Sequence, residues 1–574
     1  MSGPEGQASA DRYRHRWLAL SNTTLGVFMA MVNSSIVLIS LPAIFRGIRL
    51  DPLEPANIGY LLWMLMGYLL VTAVLVVALG RVGDIFGRVR MYNAGFLVFT
   101  LASVVLGLVP GKGPPAALAL ILLRLLQGVG GALLMANSVA ILTDAFPPGQ
   151  RGLALGLNQV AGLAGSFVGL VAGGFLADWH WRAVFWVSVP VGLAGTVWAY
   201  WKLKEEGQRV PARLDLLGNV TFGAGLTLVL VAVTYGIQPS PGHLMSWGTG
   251  PVLLELLGGV LLLVLFVLVE RRVPSPMFAL SMFRIRAFAA GNLANLLASV
   301  ARGGLQFMLI LWLQGMWLPL HGYSFESTPL WAGIYMLPLT AGFLLAGPLS
   351  GFLSDAWGAR LFATGGLLLT AVTYLFLAAL PVDFSYPAFA AILFVNGVGS
   401  GLFASPNTAA IMSSVEPWER GAASGMRAAF QNAGMVLSMG LFFSLLIAGL
   451  AAREADALRA GLLAHRVPAG AAGRIAALPP VGSLFAAFLG ENPVGELLGP
   501  RVLALLPRPE AAVLTGKTFF PRLIAGPFHE GLVWVFGIAL VLSVVAAIAS
   551  ALRGGERARA GPGKRMGFRR PAQA

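Results

Sequence analysis

Cysteine is absent from the 574 residues of this sequence. Its absence excludes a disulfide framework, a thiolate metal site and a thiol nucleophile. The six histidines show no ligand spacing such as H-x-x-x-H, and no Gly-x-x-x-x-Gly-Lys-Ser/Thr loop is present. We therefore expect no enzymatic activity, no metal site, no cofactor and no nucleotide-driven mechanism.

Charge is also scarce, because only 11% of the residues are charged and 57% are hydrophobic. A soluble protein carries about 25% charged residues. A chain this apolar would aggregate in water, so its solvent is predicted to be lipid. The net charge of +15 would suggest a nucleic-acid partner in a soluble protein, and here its distribution has to be examined first.

Long apolar runs predict fourteen membrane-spanning helices, since a bilayer core of about 30 Å needs roughly 20 apolar residues per helix. They lie near residues 17–45, 57–80, 91–109, 116–143, 151–177, 182–201, 216–237, 251–270, 287–313, 330–354, 361–381, 386–413, 421–450 and 529–552. The first is too long for a signal-peptide core and lacks a small-residue cleavage site, so it reads as a span.

The distribution of Lys and Arg fits this count. With the N-terminus in the cytoplasm, cytoplasmic segments carry 24 of the 39 basic residues and the short outer loops carry four. This asymmetry follows the positive-inside rule and places both termini in the cytoplasm. The basic excess then lies at the anionic inner leaflet, so we expect membrane lipids as partners and no nucleic acid.

An internal repeat divides the chain. Pro148, Arg151 and Gly152 recur 269 residues later as Pro417, Arg420 and Gly421, and further glycines share this offset. The repeat predicts two related six-helix bundles, with a substrate site between them near the bilayer midplane. The predicted organisation is an N-tail (1–16), an N-terminal bundle (17–201), a linker with two inserted spans (202–286), a C-terminal bundle (287–552) that contains a long segment (451–528), and a C-tail (553–574).

Several motifs resemble those of the major facilitator superfamily, specifically its fourteen-span drug:proton antiporter-2 branch. They are Gly80-Arg81-Val82-Gly83-Asp84-Ile85-Phe86-Gly87-Arg88 between spans 2 and 3, Arg124-Leu125-Leu126-Gln127-Gly128 in span 4, the span-5 glycines Gly156, Gly165, Gly169, Gly173 and Gly174, and Trp181-Arg182-Ala183-Val184-Phe185 at the start of span 6. The resemblance covers most of the chain outside 451–528.

This resemblance implies an all-α major facilitator fold in the bacterial inner (plasma) membrane. It implies export of lipophilic small molecules in exchange for protons, with the proton gradient as the energy source, by a protein expected to be a monomer. Two positions depart from the family pattern: Leu170 stands where the span-5 motif has proline, and Asn33 stands where the span-1 motif carries an acidic residue. Asparagine does not carry a proton, so the usual coupling mechanism is weakened.

The motif between spans 2 and 3 implies a cytoplasmic gate. In this hypothesis the Asp84 carboxylate caps the positive N-terminal end of span 13 and latches the cytoplasmic side shut. The remaining gate residues are Gly80, Gly87 and Arg88, with Asp355 and Arg360 as the repeat-related pair. The alternative is a solvated turn held by local ion pairs worth under about 1 kcal/mol each.

Charges inside spans are expensive and mark candidate functional sites. Arg124, with Gln127, is the leading candidate for proton relay, and the alternative is an arginine satisfied by carbonyls and Gln127. Arg302 and Arg427 are similar, although Arg427 could reach the cytoplasmic interface by snorkelling. None of the carboxylates lies at mid-span. Glu255 and Glu530, near span ends, are weak candidates for coupling.

The span-5 glycines suit either an antiporter motif or simple helix packing, because small residues let backbones approach. Polar and aromatic residues within spans predict a large, weakly charged cavity for neutral or lipophilic substrates. Its candidate lining residues are Asn33, Trp63, Tyr68, Asn158, Asn295, Tyr335 and Gln431. Each amide could instead make an interhelical hydrogen bond.

The segment 451–528 should face outward as short helices on the membrane surface or over the outer mouth. A lid, or a guide for lipid-like cargo, is one hypothesis, and a passive linker is the other. The leading function is proton-coupled export of lipophilic compounds. The alternatives are export of a lipid or lipophilic natural product with weak or atypical coupling, and a non-transporting sensor.

Overall fold

The computed structural model describes residues 4–554 except 51–54, 148–149, 206–214, 239, 241–244, 274–275, 277, 279, 417–419 and 491. Within this part of the chain the regular structure is helical, and fourteen helices are long and apolar enough to cross a bilayer. They are spans 1 to 14 in chain order: Tyr13–Ile48, Gly59–Phe86, Arg88–Leu108, Gly113–Ala145, Gly156–Trp179, Ala183–Lys202, Leu216–Gly236, Gly250–Glu270, Arg286–Leu320, Thr328–Ser354, Ala359–Ala379, Tyr386–Ser413, Ala422–Ala451 and Phe519–Ala551. The all-α class and the number of spans are confirmed.

Span 14 begins about ten residues earlier than the apolar run indicated. Its helix starts at Phe519, with Pro521 in the first turn, where the missing N–H of proline is not needed. The polar pair His529 and Glu530 interrupts the hydrophobic pattern but not the helix. Sequence reasoning therefore placed the boundary at the polar pair rather than at the helix start.

Consecutive spans run antiparallel, so the bundle has two ends. The end at which spans 2 and 3 meet, around Gly87, is called the basic end here, and the opposite one the segment end. Gly87 has φ 111° and its repeat counterpart Gly358, between spans 10 and 11, has φ 84°. A side chain would strain either backbone, so both tight connections require glycine.

The two halves pack alike. In the first half span 1 packs on span 5, span 2 on span 4, span 3 on span 4 and span 3 on span 6. In the second half the same pattern joins spans 9 and 13, 10 and 12, 11 and 12, and 11 and 14. This is the arrangement that a duplicated six-helix unit predicts.

The halves meet along two seams, span 2 against span 13 and span 5 against span 10. Span 7 lies outside the first seam and packs on both of its helices, with Val233 directly against Gly440 of span 13. Span 8 packs on span 7, and only 17% of its most apolar stretch is buried inside the protein. The inserted pair therefore flanks the seam and stays out of the centre.

Between spans 13 and 14 lie five short helices. They are Glu454–Ala464, Ala469–Ala476, Pro480–Leu489, Val494–Leu503 and Arg508–Leu514. The second and third are bent by 89° relative to each other, and each is too short to cross a bilayer.

The helix Pro480–Leu489, called the plug helix here, has all ten residues buried. It contacts spans 1 and 2 of the first half and spans 9, 13 and 14 of the second. Phe485 packs against Phe443, and Phe488 against Phe307. Because all ten residues are buried and contact spans of both halves, this helix is part of the core at the segment end rather than a loosely attached surface element.

Candidate functional site

A cavity of 640 Å³ lies between the two halves. Spans 1, 2, 4 and 5 line it from one side, and spans 9 to 14 from the other. Its wall includes Arg81, Asp84 and Asp144 at the extreme ends of spans 2 and 4, so the cavity reaches the basic end. It extends inward to Ser34 and Arg302, near the middle of their spans.

The segment end is closed. There Gln314 of span 9 donates from Nε2 to the Ile39 carbonyl of span 1 at 3.3 Å, which joins the two halves. A side chain on Gly174 of span 5 would meet the backbone of Leu330 in span 10. The backbones of the two spans are therefore in direct contact at the second seam. The plug helix lies against the π-helical turn Leu313–Trp317, where a Cβ on Gly315 would be 3.5 Å from Phe488 Cα.

Arg124 is buried in span 4, with 1% of its surface exposed. Its Nη1 donates a hydrogen bond to Asn33 Oδ1 of span 1 and another, at 2.7 Å, to Gln127 Oε1. Gln127 extends the hydrogen-bond network to span 3, because its Nε2 donates to Ser103 Oγ at 2.8 Å. The guanidinium also lies 4.6 Å from the centroid of the Tyr68 ring, a cation–π distance. The sequence analysis paired Arg124 with Gln127 and singled out Asn33 separately, and the structure joins all three.

A second cluster lies at the basic end. Arg88 Nη2 is 2.7 Å from Asp84 Oδ1, and Arg88 Nη1 is 2.6 Å from both Asp144 oxygens. Arg81 lies 3.8 Å from Asp84. These side chains are about a quarter exposed, so solvent weakens the ion pairs. No motif of the sequence indicated the pairing of Asp144 with Arg88.

The Asp84 latch stays a prediction. In this conformation the described partners of Asp84 are Arg88 and Arg81, while Ser424 of span 13 lines the same cavity. At the start of span 3 the capping carboxylate is Glu205, which accepts from the backbone N–H groups of Arg88 at 2.9 Å and Val89 at 3.1 Å. No sequence signal had indicated Glu205.

The other gate candidates have different surroundings. Gly80 lines the cavity, where a Cβ would be 3.6 Å from Ala136 of span 4. Arg360 is exposed at the start of span 11. The Asp355 side chain lies outside the described residues.

The remaining intramembrane charges lie in three places. Arg302 and Arg427 line the cavity, and Arg427 Nη1 donates to Gln431 Oε1 at 2.9 Å. The possible snorkelling of Arg427 to the interface is therefore not observed. Glu255 lies on span 8, the peripheral inserted helix, away from the cavity wall. Glu530, at the segment end, pairs with Arg453 at 2.5 Å.

Four of the seven cavity candidates line the cavity: Tyr68, Asn158, Asn295 and Gln431. The other three lie elsewhere in this conformation. Asn33 accepts a hydrogen bond from Arg124, and the Trp63 ring packs on Tyr235 of span 7. Tyr335 stacks on Tyr386 at 4.1 Å near the segment end. The sequence shows how deep a residue lies within its span. The direction in which its side chain points depends on how the helix is rotated about its own axis.

The span-5 glycines are largely a packing surface. Side chains at Gly165, Gly169 and Gly173 would meet the span-1 residues Phe28, Val32 and Ile36, and Gly174 faces span 10. A Cβ at Gly156 would have no neighbouring atom within 4 Å. The stripe thus sets how closely span 5 approaches span 1.

Similarities to known proteins agree with this architecture. Residues 23–439 match the family model described as Major Facilitator Superfamily. The chain is 29% identical to the tetracenomycin C resistance and export protein of Streptomyces glaucescens, over 73% of either chain. It is 31% identical to an uncharacterised MFS-type transporter of Mycobacterium tuberculosis, over 87% of this chain and 81% of that one.

Solved structures show the same fold at low identity. The proton:xylose symporter XylE bound to 6-bromo-6-deoxy-D-glucose matches with a TM-score of 0.52 and 14% identity, over 83% of this chain and 96% of that one. The peptide transporter POT in complex with sulfate matches with a TM-score of 0.54 and 15% identity, over 86% and 96%. Two halves around a central cavity, the matched motifs and the family model lead to one conclusion: the chain belongs to the Major Facilitator Superfamily.

Proposed function

We propose that this protein is a secondary active exporter of lipophilic small molecules that works by alternating access across a bacterial plasma membrane and is driven by the proton gradient. The observation that carries the proposal is the cavity between the halves, which reaches the basic end and is closed at the segment end. A site exposed to one side at a time is what alternating access requires.

The direction of the proposal rests on charge. By the positive-inside rule the basic end faces the cytoplasm, which also places both termini there. The cavity of this conformation then receives molecules from the cytoplasm or the inner leaflet. The relative from Streptomyces glaucescens is named as an export protein, which supports the outward direction.

The lining supports a lipophilic cargo. Met31, Met135 and Met435 give the wall adaptable apolar surface, and Phe343 adds an aromatic face. Amides such as Gln159 and Asn295 offer hydrogen bonds without charge. A pocket of mostly apolar surface with a few polar groups is the ordinary form of a small-molecule site.

The experiment is uptake into inside-out membrane vesicles. A panel of lipophilic dyes is offered with a proton gradient and then with a protonophore, and empty-vector vesicles give the background. We expect gradient-dependent uptake by the wild type and its loss in Arg124→Ala and Asp84→Asn. Arg459→Gln, at an exposed position far from the cavity, is the matched control and should transport normally. Absence of uptake of every dye by folded, abundant protein would contradict the proposal.

A second candidate is export of a lipid or a lipophilic natural product with atypical coupling. The observation that favours it is Asn33, a neutral amide in contact with Arg124 where the family resemblance implies an acid. Reconstituted proteoliposomes containing a fluorescent phospholipid would test it. Protein-dependent movement of the lipid between leaflets, without dye uptake, would favour the lipid over the drug-like cargo.

A further inference from the structure

The charges on the cavity wall are unequal. Among the described residues that line it, the acidic ones are Asp84 and Asp144, both at the basic end and both paired with Arg88. Deeper in the cavity lie Arg302 of span 9 and Arg427 of span 13, and no ion pair to either is found in the described part of the chain. The weakly charged cavity expected from the sequence is therefore not what the structure contains.

Neither deep arginine has a carboxylate partner among the described residues. The Arg302 guanidinium lies 5.6 Å from the centroid of the Phe343 ring, a contact that is weaker than an ion pair. Arg427 donates from Nη1 to Gln431, but its Nε is buried without a hydrogen-bond partner among the described residues. A cation within a span is costly unless it is paired, so the vacant partner position favours binding of an anion.

Neighbouring groups add further hydrogen-bond donors to the wall formed by spans 9 and 13. Asn432 Nδ2, one turn along span 13, is buried without an acceptor and also borders the cavity. Asn295 Nδ2 donates a hydrogen bond to the backbone carbonyl of Arg427 at 3.2 Å, which fixes the backbone that carries the arginine. Spans 9 and 13 thus present cationic and N–H donors from one half of the protein.

The facing wall is different. Away from the basic end, spans 1, 2 and 4 contribute no charged side chain to the lining, which there includes the apolar residues Val27, Met31, Leu69, Val76 and Met135 and the hydroxyl groups of Ser34, Tyr68 and Thr72. A ligand that fills the cavity would place an apolar body against this wall and an acceptor group against spans 9 and 13. The two walls together describe an amphipathic anion.

We propose that the substrate of the central cavity is a lipophilic anion, such as a hydrophobic carboxylate, sulfonate or phosphate, whose charged group is bound by Arg302 and Arg427. This proposal deepens the export function proposed above and rests on it for the transport step only. The binding step stands on the cavity itself, so the two are tested separately. The shared chemistry admits two sources, a soluble amphiphile or the headgroup of an anionic lipid.

The binding test uses three pyrene probes with the same four-carbon chain: pyrenebutyrate, pyrenebutanol and pyrenebutyl-trimethylammonium. The full-length protein is placed in phosphatidylcholine nanodiscs, and energy transfer from its 14 tryptophans to pyrene reports binding, with empty discs subtracted. We expect the anion to bind about tenfold more tightly than the alcohol, and the cation more weakly than either.

The arginine variants then assign the preference. Arg302→Gln and Arg427→Gln should each reduce the preference for the anion, the double variant should abolish it, and Arg427→Lys should retain most of it. Arg459→Gln removes the same charge from an exposed helix and should change nothing. Equal affinity for the three probes in the wild type, or an anion preference that survives the double variant, would overturn the proposal.

Two further arms separate the sources and the functions. Discs containing phosphatidylglycerol weaken pyrenebutyrate binding in an Arg427-dependent way if the lipid headgroup is the ligand, and leave it unchanged if the ligand is a soluble amphiphile. Vesicle uptake of dyes regardless of charge would overturn the anion proposal and leave export intact. Arginine-dependent anion binding without any vesicle uptake would leave the site intact and contradict export.

Discussion

Arg124 donates a hydrogen bond from Nη1 to Asn33 Oδ1, so the buried cation of span 4 has a neutral amide as its partner in span 1. The family resemblance implies an acid near position 33. The network Asn33–Arg124–Gln127–Ser103 is consequently one of hydrogen bonds rather than an ion pair. Hydrogen bonds to a charged group are worth about 1.5–3 kcal/mol, so the arginine is stabilised but its charge is not compensated.

Replacing Asn33 by aspartate should supply the missing counter-charge. We expect Asn33→Asp to raise the unfolding temperature of the purified protein, since Arg124 is already buried and gains an opposite charge. Because a carboxylate can take up a proton and an amide cannot, dye uptake should also depend more strongly on the proton gradient. Thermal unfolding in detergent and vesicle uptake measure the two effects.

The control for this change is Asn93→Asp, the same substitution at another buried position. Asn93 is 6% exposed in span 3, and its Oδ1 has no described hydrogen-bond donor. A carboxylate there is buried without a cation, so the unfolding temperature should fall. Equal shifts in the two variants would show that Arg124 does not act as the partner of residue 33.

Arg88 should control whether Asp84 is free to act as a latch. In Arg88→Gln, Asp84 loses its 2.7 Å partner, and the released carboxylate can move to the positive N-terminal end of span 13. We expect the basic end to close more often. Since the natural chain has no cysteine, Gln159→Cys in the cavity is a single reporter, and an impermeant maleimide should label it several-fold more slowly in inside-out vesicles.

Two variants accompany that experiment. Arg90→Gln removes an exposed charge from the same turn and should label at the wild-type rate. Adding Asp84→Asn to Arg88→Gln should restore the faster labelling, because the latch is then removed. Unchanged labelling in Arg88→Gln would leave the solvated turn as the better account of this motif.

Gly174 should be required for the closed segment end. A Cβ at this position would meet the backbone of Leu330, and backbone cannot move aside as a flexible side chain can. Gly174→Val should therefore separate spans 5 and 10 and favour the state open at the segment end, seen as slower labelling of Gln159→Cys from the basic end. Gly156→Val, on the same helix with nothing within 4 Å, should leave the labelling rate unchanged.

Glu454 should make the stability of the inter-span helices depend on pH. It is 2% exposed, and burial raises the pKa of its carboxyl to about 7, an effect only partly offset by the nearby Ser483 hydroxyl. Neither carboxyl oxygen has a described hydrogen-bond partner. Burial of this side chain without a partner therefore favours the neutral acid in the folded state.

The direction follows from the raised pKa. Between about 4.5 and 7 the folded protein binds the proton more tightly than the unfolded chain, so stability falls as pH rises through this range and levels off above it. The loss is on the order of 3 kcal/mol. Thermal unfolding from pH 5 to 8 measures it, and Glu454→Gln should remove the dependence while raising stability at pH 8. The exposed Asp456→Asn on the same helix is the control, and an unchanged slope in Glu454→Gln would refute the assignment.

Local signals in the sequence predicted much of the fold. Fourteen apolar runs follow from lipid as solvent, because each span must be apolar and must satisfy its own backbone hydrogen bonds. The alternation of basic loops predicted the direction of the spans, and the repeat between residues such as Arg151 and Arg420 predicted the two halves. Gly87 was indicated by the motif between spans 2 and 3, and the positive φ angles of Gly87 and of its repeat counterpart Gly358 explain why both are glycine. Predicting the start of span 14 failed because the polar pair His529–Glu530 outweighed helix continuity.

What the sequence by itself determined is therefore the solvent, the number and order of spans, the family and the presence of buried arginines. Only the tertiary structure decided that Asn33 is the partner of Arg124, that Arg302 and Arg427 face one cavity, and that Pro480–Leu489 lies between the halves. The physical reason is that hydropathy acts residue by residue along each helix. Rotation about the helix axis and contact between distant spans are set by packing, which no local pattern encodes.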